Sequence, residues 1–455
     1  MNTRVILSLL TFSSLLYADE IDDLMGGFDD TLSETITIDE SIVNIQKPEL
    51  ISVSGSLSHA LSYNIAHSKP DNESTDFRGL SRARSKLELH FDSEINEHWK
   101  SKIELKAFFD ALYFLRADNK YSTEMKETNQ DEFESKEAYL LGSYDRFDIK
   151  IGRQTVVWGK SDTIRITDVI NPLDNREPGM VDIEDLRLPV FMSKFDYYID
   201  NWNLSTMLIH EYRIQKEAAL GSDFLPTHIF PLPPEKSFPS EVYPTSELNK
   251  PQFALALNGR FSGWDLSFYH ANVLDSRWQL DKTASNRDYS LMHMSGIAAN
   301  IVTGSWLLKT EIAHLSNLRY SAISKTKVRL DTLLGIDYMG TTDTVLSLEL
   351  ANRHLYDYET SMQNAPNFVN EDEDQLAFRS NYSFDHNKGD INLLLSLFGA
   401  KSKNQGGFIR AWLNYEMADA LTLTTGIIDY QGGEKPFFEA IKQNDRIFTE
   451  IMYKF

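Results

Sequence analysis

The sequence predicts an all-β chain, a transmembrane antiparallel β-barrel of about eighteen strands, with sixteen as the nearest alternative. Three observations carry that expectation. The first is a period of two: Val53, Gly55, Leu57, His59, Leu61, Tyr63 and Ile65 alternate with Ser52, Ser54, Ser56, Ser58, Ala60, Ser62 and Asn64. A strand that is oily on one face and small and polar on the other, for longer than a soluble strand needs, separates lipid from water. The second is that no segment after Leu16 approaches the ~20 apolar residues of a spanning helix, so only a closed sheet would cross a bilayer. The third is that connections alternate in length. Asp145-Arg146, Ser262-Gly263, Gly304, Thr341-Thr342 and Ala418-Asp419 are tight turns, and every second connection is long. Short turns on one rim and long loops on the other are the pattern of outer-membrane barrels, with the short side periplasmic.

The elements follow in order. Arg4, the apolar run from Val5 to Leu16 and Ala18 before Asp19 have the layout of a secretory signal peptide over residues 1–18. Residues 19–50 are acidic, hold Gly26, Gly27 and Phe28 in an Asp-rich run, and read as a periplasmic extension that lies free, docks a partner or enters the barrel. The barrel is expected over 51–455. Its strands fall near 51–66, 77–92, 98–114, 134–144, 147–158, 189–199, 201–213, 250–261 and 264–274, then 289–303, 305–317, 327–340, 343–357, 374–385, 388–401, 405–417, 420–431 and 445–455. At the end Ile447, Ile451, Tyr453 and Phe455 share one face. A terminal aromatic in that register, Tyr453 with Phe455, is the membrane-assembly signal that barrel-assembly machinery reads.

Composition excludes several classes. A formal charge of −22 argues against nucleic acid, which wants a basic footprint. The absence of cysteine excludes a disulfide framework, an acylated amino-terminal Cys and thiolate metal sites. No cofactor and no metal are expected.

Alternation assigns faces. Leu87, Leu89 and Phe91 point outward, so Arg78, Arg82, Arg84 and Lys86 share the inner face, and Ile103, Leu105, Ala107 and Phe109 are backed by Lys100, Lys102, Glu104 and Lys106. An Arg facing lipid at mid-membrane costs ~2–4 kcal/mol, so these rows must face water. Arg353, Arg379 and Arg410 extend the basic lining on later strands, and the interior is expected to be polar throughout. Such a row selects anions, or it neutralises Glu88, Glu104 and Glu137 and stiffens the wall. Acidic residues concentrate elsewhere, as in Asp131, Glu132, Glu134 and the run Glu371, Asp372, Glu373, Asp374, which read as solvated connections.

The densest local sequence runs from Gly152, Arg153 and Gln154 through Trp158, Gly159 and Lys160 to Asp168, Asn171, Pro172, Leu173, Asp174, Glu177, Pro178, Gly179 and Pro189. Strict parity puts Arg153 on the lipid side, so Gly152 is expected to mark a bulge that turns it inward. The loop that follows has ordered turn chemistry and either narrows the pore or packs over its mouth. Arg153, Trp158, Lys160, Arg165, Asp168, Asn171, Asp174, Arg176 and Arg187 are the constriction candidates.

The run from Gly152 to Pro189, with Leu80-Ser81-Arg82 and the segment Glu349, Asn352, Arg353, His354, resembles a family of proteobacterial outer-membrane barrels known only as a domain of unknown function. The family is often found with inner-membrane exporters of the resistance-nodulation-division class and is distantly similar to alginate-export barrels. The resemblance covers the mature chain and implies location and fold more than substrate. It implies an exporter as partner, and it carries no catalytic or binding residue over.

The functional expectation is an outer-membrane channel of a Gram-negative bacterium, passing small anionic or amphipathic solutes by diffusion through a basic, loop-constricted lumen. Outer-membrane lipid, lipopolysaccharide and the assembly machinery are its expected surroundings. The alternative is an exit port for a lipid, polymer or amphiphile handed over by a periplasmic or inner-membrane exporter, with 19–50 as the docking segment. An enzyme is not expected. His59 with Ser81 and Ser85 on the outward face gives a lipid-facing His and Ser pair, the remote hydrolase reading, but no third residue orients it.

Overall fold

The computed structural model describes residues 51–71, 74–229, 239–242, 251–280, 286–365, 367–399 and 404–455. The signal peptide expected at 1–18 and the extension expected at 19–50 lie outside the described residues. Eighteen strands form one barrel: Ser52–Asn64 (β1), Gly79–Glu94 (β2), Trp99–Asp110 (β3), Asp131–Tyr144 (β4), Phe147–Gln154 (β5), Val190–Ile199 (β6), Trp202–Ile209 (β7), Gln252–Phe261 (β8) and Trp264–Leu274 (β9). Leu291–Thr303 (β10), Trp306–Leu318 (β11), Lys327–Thr341 (β12), Thr344–Leu355 (β13), Asp372–Phe384 (β14), Gly389–Phe398 (β15), Gly406–Ala418 (β16), Leu421–Gln431 (β17) and Arg446–Lys454 (β18) complete it. Each pairs antiparallel with its sequence neighbour, and β1 closes on β18 from Ser56↔Lys454 to Asn64↔Arg446. Gly55 and Phe455 exchange backbone hydrogen bonds of 2.8 and 2.9 Å at the seam. Closure joins the first strand to the last, so the ladder runs around the whole ring.

The outer surface follows the predicted parity. Val53, Leu57, Leu61 and Tyr63 are exposed, as are Ile297, Ile301, Leu308, Ile312, Leu348 and Leu350, while Ser58 and Ser62 are buried inside. A continuous surface of that kind is stable against lipid and unstable against water. An aromatic girdle rings the short-turn rim. Trp99 Nε1 donates to Tyr144 Oη at 2.9 Å, Phe261 stacks on Trp264 at 4.2 Å, Trp306 meets Tyr338 at 4.5 Å, and Tyr453 stacks on Phe455 at 6.3 Å. Aromatic rings with one wet end settle at a membrane interface. The turns on this rim are tight because Asp145, Asp200, Gly263, Gly304 and Asp343 take positive φ.

Several expectations change. Parity does not break at Gly152: Ile151, Gly152 and Arg153 pair in unbroken register with Ser193, Met192 and Phe191, so Arg153 stays on the outer face and is no constriction residue. The register shifts instead at Ser62/Tyr63, where Ser81 is the extra residue and hydrogen-bonds the inward Ser62 at 2.7 Å. Ser81 therefore does not face lipid.

The strands expected to reach 158 and 213 end at Gln154 and Ile209, and the one expected to reach 114 ends at Asp110, before a helical turn at Leu112–Leu115. The chain leaves the wall because β5 to β8 stop at one level, Gln154↔Val190, Met192↔Ile209 and Gln252↔Ile209. β4 pairs with β5 only from Ala138 down, so Asp131 to Glu137 stand above the end of β5. Ion pairs replace the missing ladder: Glu134 binds Arg213, and Glu132 and Glu134 bind Lys216. Thr155 N–H donates to Glu137 Oε1 at 2.7 Å. Glu132 and Glu134 are thus members of this seam and not solvated loop.

The interior is not polar throughout. Met192, Met207, Ala254, Ala256, Ala271, Met294, Ala298, Ala313, Leu333, Ala351 and Ala377 line one half, and they pack against Trp158, Ile164, Ile166 and Ile170. Small residues on β8 to β14 leave the volume that the loop fills, which is why a hydrophobic core exists inside this part of the barrel.

Candidate functional site

The segment between β5 and β6, residues 155–189, folds into the lumen. Its first half is held by two inward glutamates, Glu311 on β11 and Glu349 on β13, each 1% exposed. Glu311 accepts from the N–H of Lys160 (2.6 Å), Ser161 (2.8 Å) and Thr167 (3.1 Å) and from the Thr167 hydroxyl (2.7 Å). Glu349 accepts from the N–H of Asp162 (2.8 Å), Thr163 (3.2 Å) and Ile164 (3.1 Å) and from the Ser161 hydroxyl (2.7 Å). A carboxylate buried among apolar groups is tolerable only when hydrogen-bonded, and the loop backbone supplies those donors. Gly159 has φ +93°, and a Cβ there would lie 2.6 Å from Glu311 Oε1, so the approach requires glycine. Lys309, one turn of the pleat from Glu311, bridges Asp162 of the loop to Asp337 of β12.

Within the loop, Asp168 accepts from Arg165 (3.0 Å) and Arg187 (2.9 Å), and buried Asn171 ties Val156 N–H (2.8 Å) to the Leu188 carbonyl (2.8 Å). Trp158 stacks on Tyr269 at 4.7 Å. These predicted constriction residues form the loop's own skeleton. Lys160 reaches Asp265 at 3.3 Å.

The second half crosses to the opposite wall. Glu177 binds Arg82 and stands 3.4 Å from Arg84, Asp182 binds Arg410 at 3.2 Å and lies 3.7 Å from Arg379, and Tyr430 Oη donates to the Pro178 carbonyl at 2.6 Å. β2 and β11 are nine strands apart in a ring of eighteen, so the loop spans a diameter. Arg176 is shared by Asp174 (2.6 Å), Glu132 (2.7 Å) and the Thr128 carbonyl (2.9 Å). Burial works against ionisation of Asp174, but the Arg176 guanidinium outweighs it and holds the carboxyl below its ordinary value.

The basic row divides. Lys86 lies 3.5 Å from Glu88, and Lys102 lies 2.9 Å from Glu104. Lys106 on β3 and Lys150 on β5 have no carboxylate within ion-pair distance among the described residues, and Lys150 sits 3.7 Å over the Tyr139 ring. Arg353 donates to Gln375 (3.0 Å) and the Arg165 carbonyl (3.4 Å), bracing the loop. Two members of the predicted row leave the lumen. Arg78 precedes β2 in the open and pairs with Asp76 at 2.8 Å, holding that carboxyl at about 2, and Lys100 pairs with Glu94 at 2.7 Å on the short-turn rim.

Sequence reasoning missed Glu311, Lys309, Asp182 and Lys150. The pattern that locates Glu311 is Lys309, Glu311, Ala313 and Leu315 on one face: an acid followed by apolar residues on an inward row is buried and needs donors from elsewhere.

A family model described as Protein of unknown function (DUF1302) matches residues 3–455. No curated protein matches the sequence. Among solved structures, Acinetobacter baumannii OccAB4 is similar with a TM-score of 0.50 and 12% identity, covering 90% of this chain and 99% of that one. Salmonella typhi OmpF, in a complex with daunomycin, has a TM-score of 0.44 and 11% identity over 89% of this chain and 97% of that one. At these identities the first likeness concerns the fold, and the barrel described above stands on its own strand pairing.

Proposed function

Because the chain belongs to the DUF1302 family, whose description gives no activity, we propose from its geometry that it is an outer-membrane channel for small anionic solutes. The observation that carries this reading is the loop at 155–189, stapled at both ends of a diameter, beside a wall on which Lys106 and Lys150 have no carboxylate partner. A segment held this firmly narrows a lumen without sealing it by chance motion, and basic groups in a narrow wet passage favour anions. The short-turn rim faces the periplasm in this reading and the long loops face the medium. No chemistry is performed; width and charge set what passes.

Planar-bilayer conductance tests it. Discrete steps with an anion-selective reversal potential in a KCl gradient are expected, and the selectivity should fall toward that of bulk KCl when Lys86, Lys106 and Lys150 are all replaced by Gln. A protein that inserts but never conducts, or conducts with cation preference, overturns the reading.

A further inference from the structure

The outer wall carries a notch of about 630 Å³ where β5 to β8 stop short, lined by Ser135 and Ala138 of β4, Arg153 of β5, Phe191 of β6, and His210 and Glu211 just past β7. Its depth follows from the strands. Arg153 stands six residues beyond Phe147 at the short-turn rim, and His210 eight beyond Trp202. At about 3.3 Å per residue and a tilt of about 40°, they lie roughly 15–20 Å above that rim, within a lipid-facing band about 25 Å tall. Arg153 and Glu211 bind one another there, their side chains 30% and 23% exposed. An ion pair facing hydrocarbon has to be met by a polar group, and irregular backbone such as that past His210 is tolerated at this depth only when buried or beside a wet cavity.

The two full charges of the notch cancel. Glu211 accepts from Arg153 through Oε1 and from the Phe191 N–H (2.9 Å) through Oε2, and Arg153 reaches the Ser135 carbonyl at 3.4 Å, on the part of β4 that β5 does not pair. His210 Nε2 shares a hydrogen bond of 2.9 Å with Ser193 Oγ, and its ring lies 5.7 Å from that of Phe191. Toward the short-turn rim the surface turns apolar, with Leu140, Ile151 and Leu208 exposed. Polar groups on the long-loop side and an apolar strip leading to the middle of the membrane repeat the orientation of an outer-leaflet lipid. Glu211 also lines the space behind it, a gap of about 10 Å³ beside Ile170, Val190 and Ile209. That is the room of about one water, so the notch is a seat and not a passage.

We propose that this notch binds a zwitterionic amphiphile of the outer leaflet, its head held by Arg153 and Glu211 and its tail laid on Leu140, Ile151 and Leu208. A zwitterion offers its anion to the guanidinium and its cation to the carboxylate. An anionic head is opposed by Glu211 and a cationic head by Arg153. The proposal rests on the outer-membrane placement of the long loops and not on conduction.

Native mass spectrometry of the full-length protein, released from tetraethylene glycol octyl ether micelles, reads the bound species directly. With 1-myristoyl-lysophosphatidylcholine the protein should retain one equivalent. Myristate and tetradecyltrimethylammonium should be retained at least about tenfold less, as one lost charge-assisted contact implies. Ala138→Trp, which fills the notch and leaves both charges, should abolish retention. Glu211→Gln should turn the preference toward myristate and Arg153→Gln toward the cation, a reversal that loss of packing alone does not produce. Each variant is read on material that migrates as a folded barrel on unboiled gels. No retention of lysophosphatidylcholine, equal retention of all three probes, or retention unchanged in Ala138→Trp overturns the site. A preference of the native protein for myristate overturns the zwitterionic assignment. An anion-selective channel that retains no amphiphile defeats this site alone, and a silent barrel that retains one lysophosphatidylcholine defeats the channel alone.

Discussion

Glu311 Oε2 receives both the backbone N–H (3.1 Å) and the hydroxyl (2.7 Å) of Thr167, a residue 144 positions earlier in the chain. One carboxylate on a rigid strand therefore fixes the turn that the loop makes against the wall. Removing it strands several donors at once. Glu311→Ala is expected to cost about 3 kcal/mol, in line with an emptied buried polar site, and to raise open-channel noise as the loop loosens. Glu311→Gln should fall between, since its amide keeps one acceptor. Unfolding midpoints and single-channel records check both effects; an Ala variant with native stability and quiet current would refute the anchoring role.

Gly159 makes a separable prediction. Ala at this position would hold φ +93° and press a methyl toward Glu311, a strain of about 1–3 kcal/mol. Gly159→Ala should reproduce the noise of Glu311→Ala while leaving every charge in place. Equal behaviour of Gly159→Ala and the native protein would count against a tight backbone approach.

The seam beside β4 is held by side chains, with Arg213 and Glu134 only 12% and 10% exposed. A double-mutant cycle on Arg213→Ala and Glu134→Ala should give a coupling energy of about 1–3 kcal/mol, well above that of an exposed pair. A coupling indistinguishable from zero would mean that the wall is sealed by something other than this pair.

His67, in the connection after β1, donates from Nε2 to Asn444 Oδ1 at 2.8 Å, and burial lowers its pKa below the ordinary 6.5. The folded state thus prefers the neutral ring. That contribution is complete above pH 6.5 and is lost as pH falls from there through the lower folded value. Protease accessibility of the 65–71 segment should rise on acidification below pH 6.5, and His67→Gln should remove that pH dependence. A flat profile in the native protein would refute the linkage.

His59 Nδ1 pairs with Ser85 Oγ at 2.8 Å on the outward face, and His270 with Ser295 does the same at 3.0 Å. Cross-strand pairing of this kind satisfies polar groups against lipid and needs no catalytic role. His59→Leu should change stability by less than about 1 kcal/mol and leave vesicle phospholipid as intact as the native protein does. Phospholipid cleavage that disappears in His59→Leu would establish a hydrolase.

Periodicity made the barrel legible, since a register error of one residue would have turned Leu87, Leu89 and Phe91 into the lumen. Each of the eighteen strands falls where alternation places it. Strand ends were less visible. Val156, Val157 and Trp158 continue an apolar run as a strand would, but tertiary packing takes Val156 and Trp158 into the loop core and leaves Val157 exposed. The charges of the loop were readable as residues and not as partners: Arg165 and Arg187 share Asp168, while Glu177 and Asp182 meet arginines on β2, β14 and β16. Those pairings depend on how far the chain reaches across the ring, which no local pattern encodes. Gly152 misled for a related reason. Its Cβ position is crowded by β4, so glycine is required there without any bulge.

Of the strands that hold the 155–189 segment, β2 and β4 precede it in the chain, whereas β11, β13 and β16 follow it. During membrane insertion the segment therefore waits, with Trp158, Ile164 and Ile166 uncovered and its amides solvated, until the later half of the cylinder is threaded. Capture by Glu311 and Glu349 must await these later strands, so the lock doubles as a report that assembly has finished. An incompletely threaded intermediate should be cut by protease between Trp158 and Asp182, whereas the finished molecule resists.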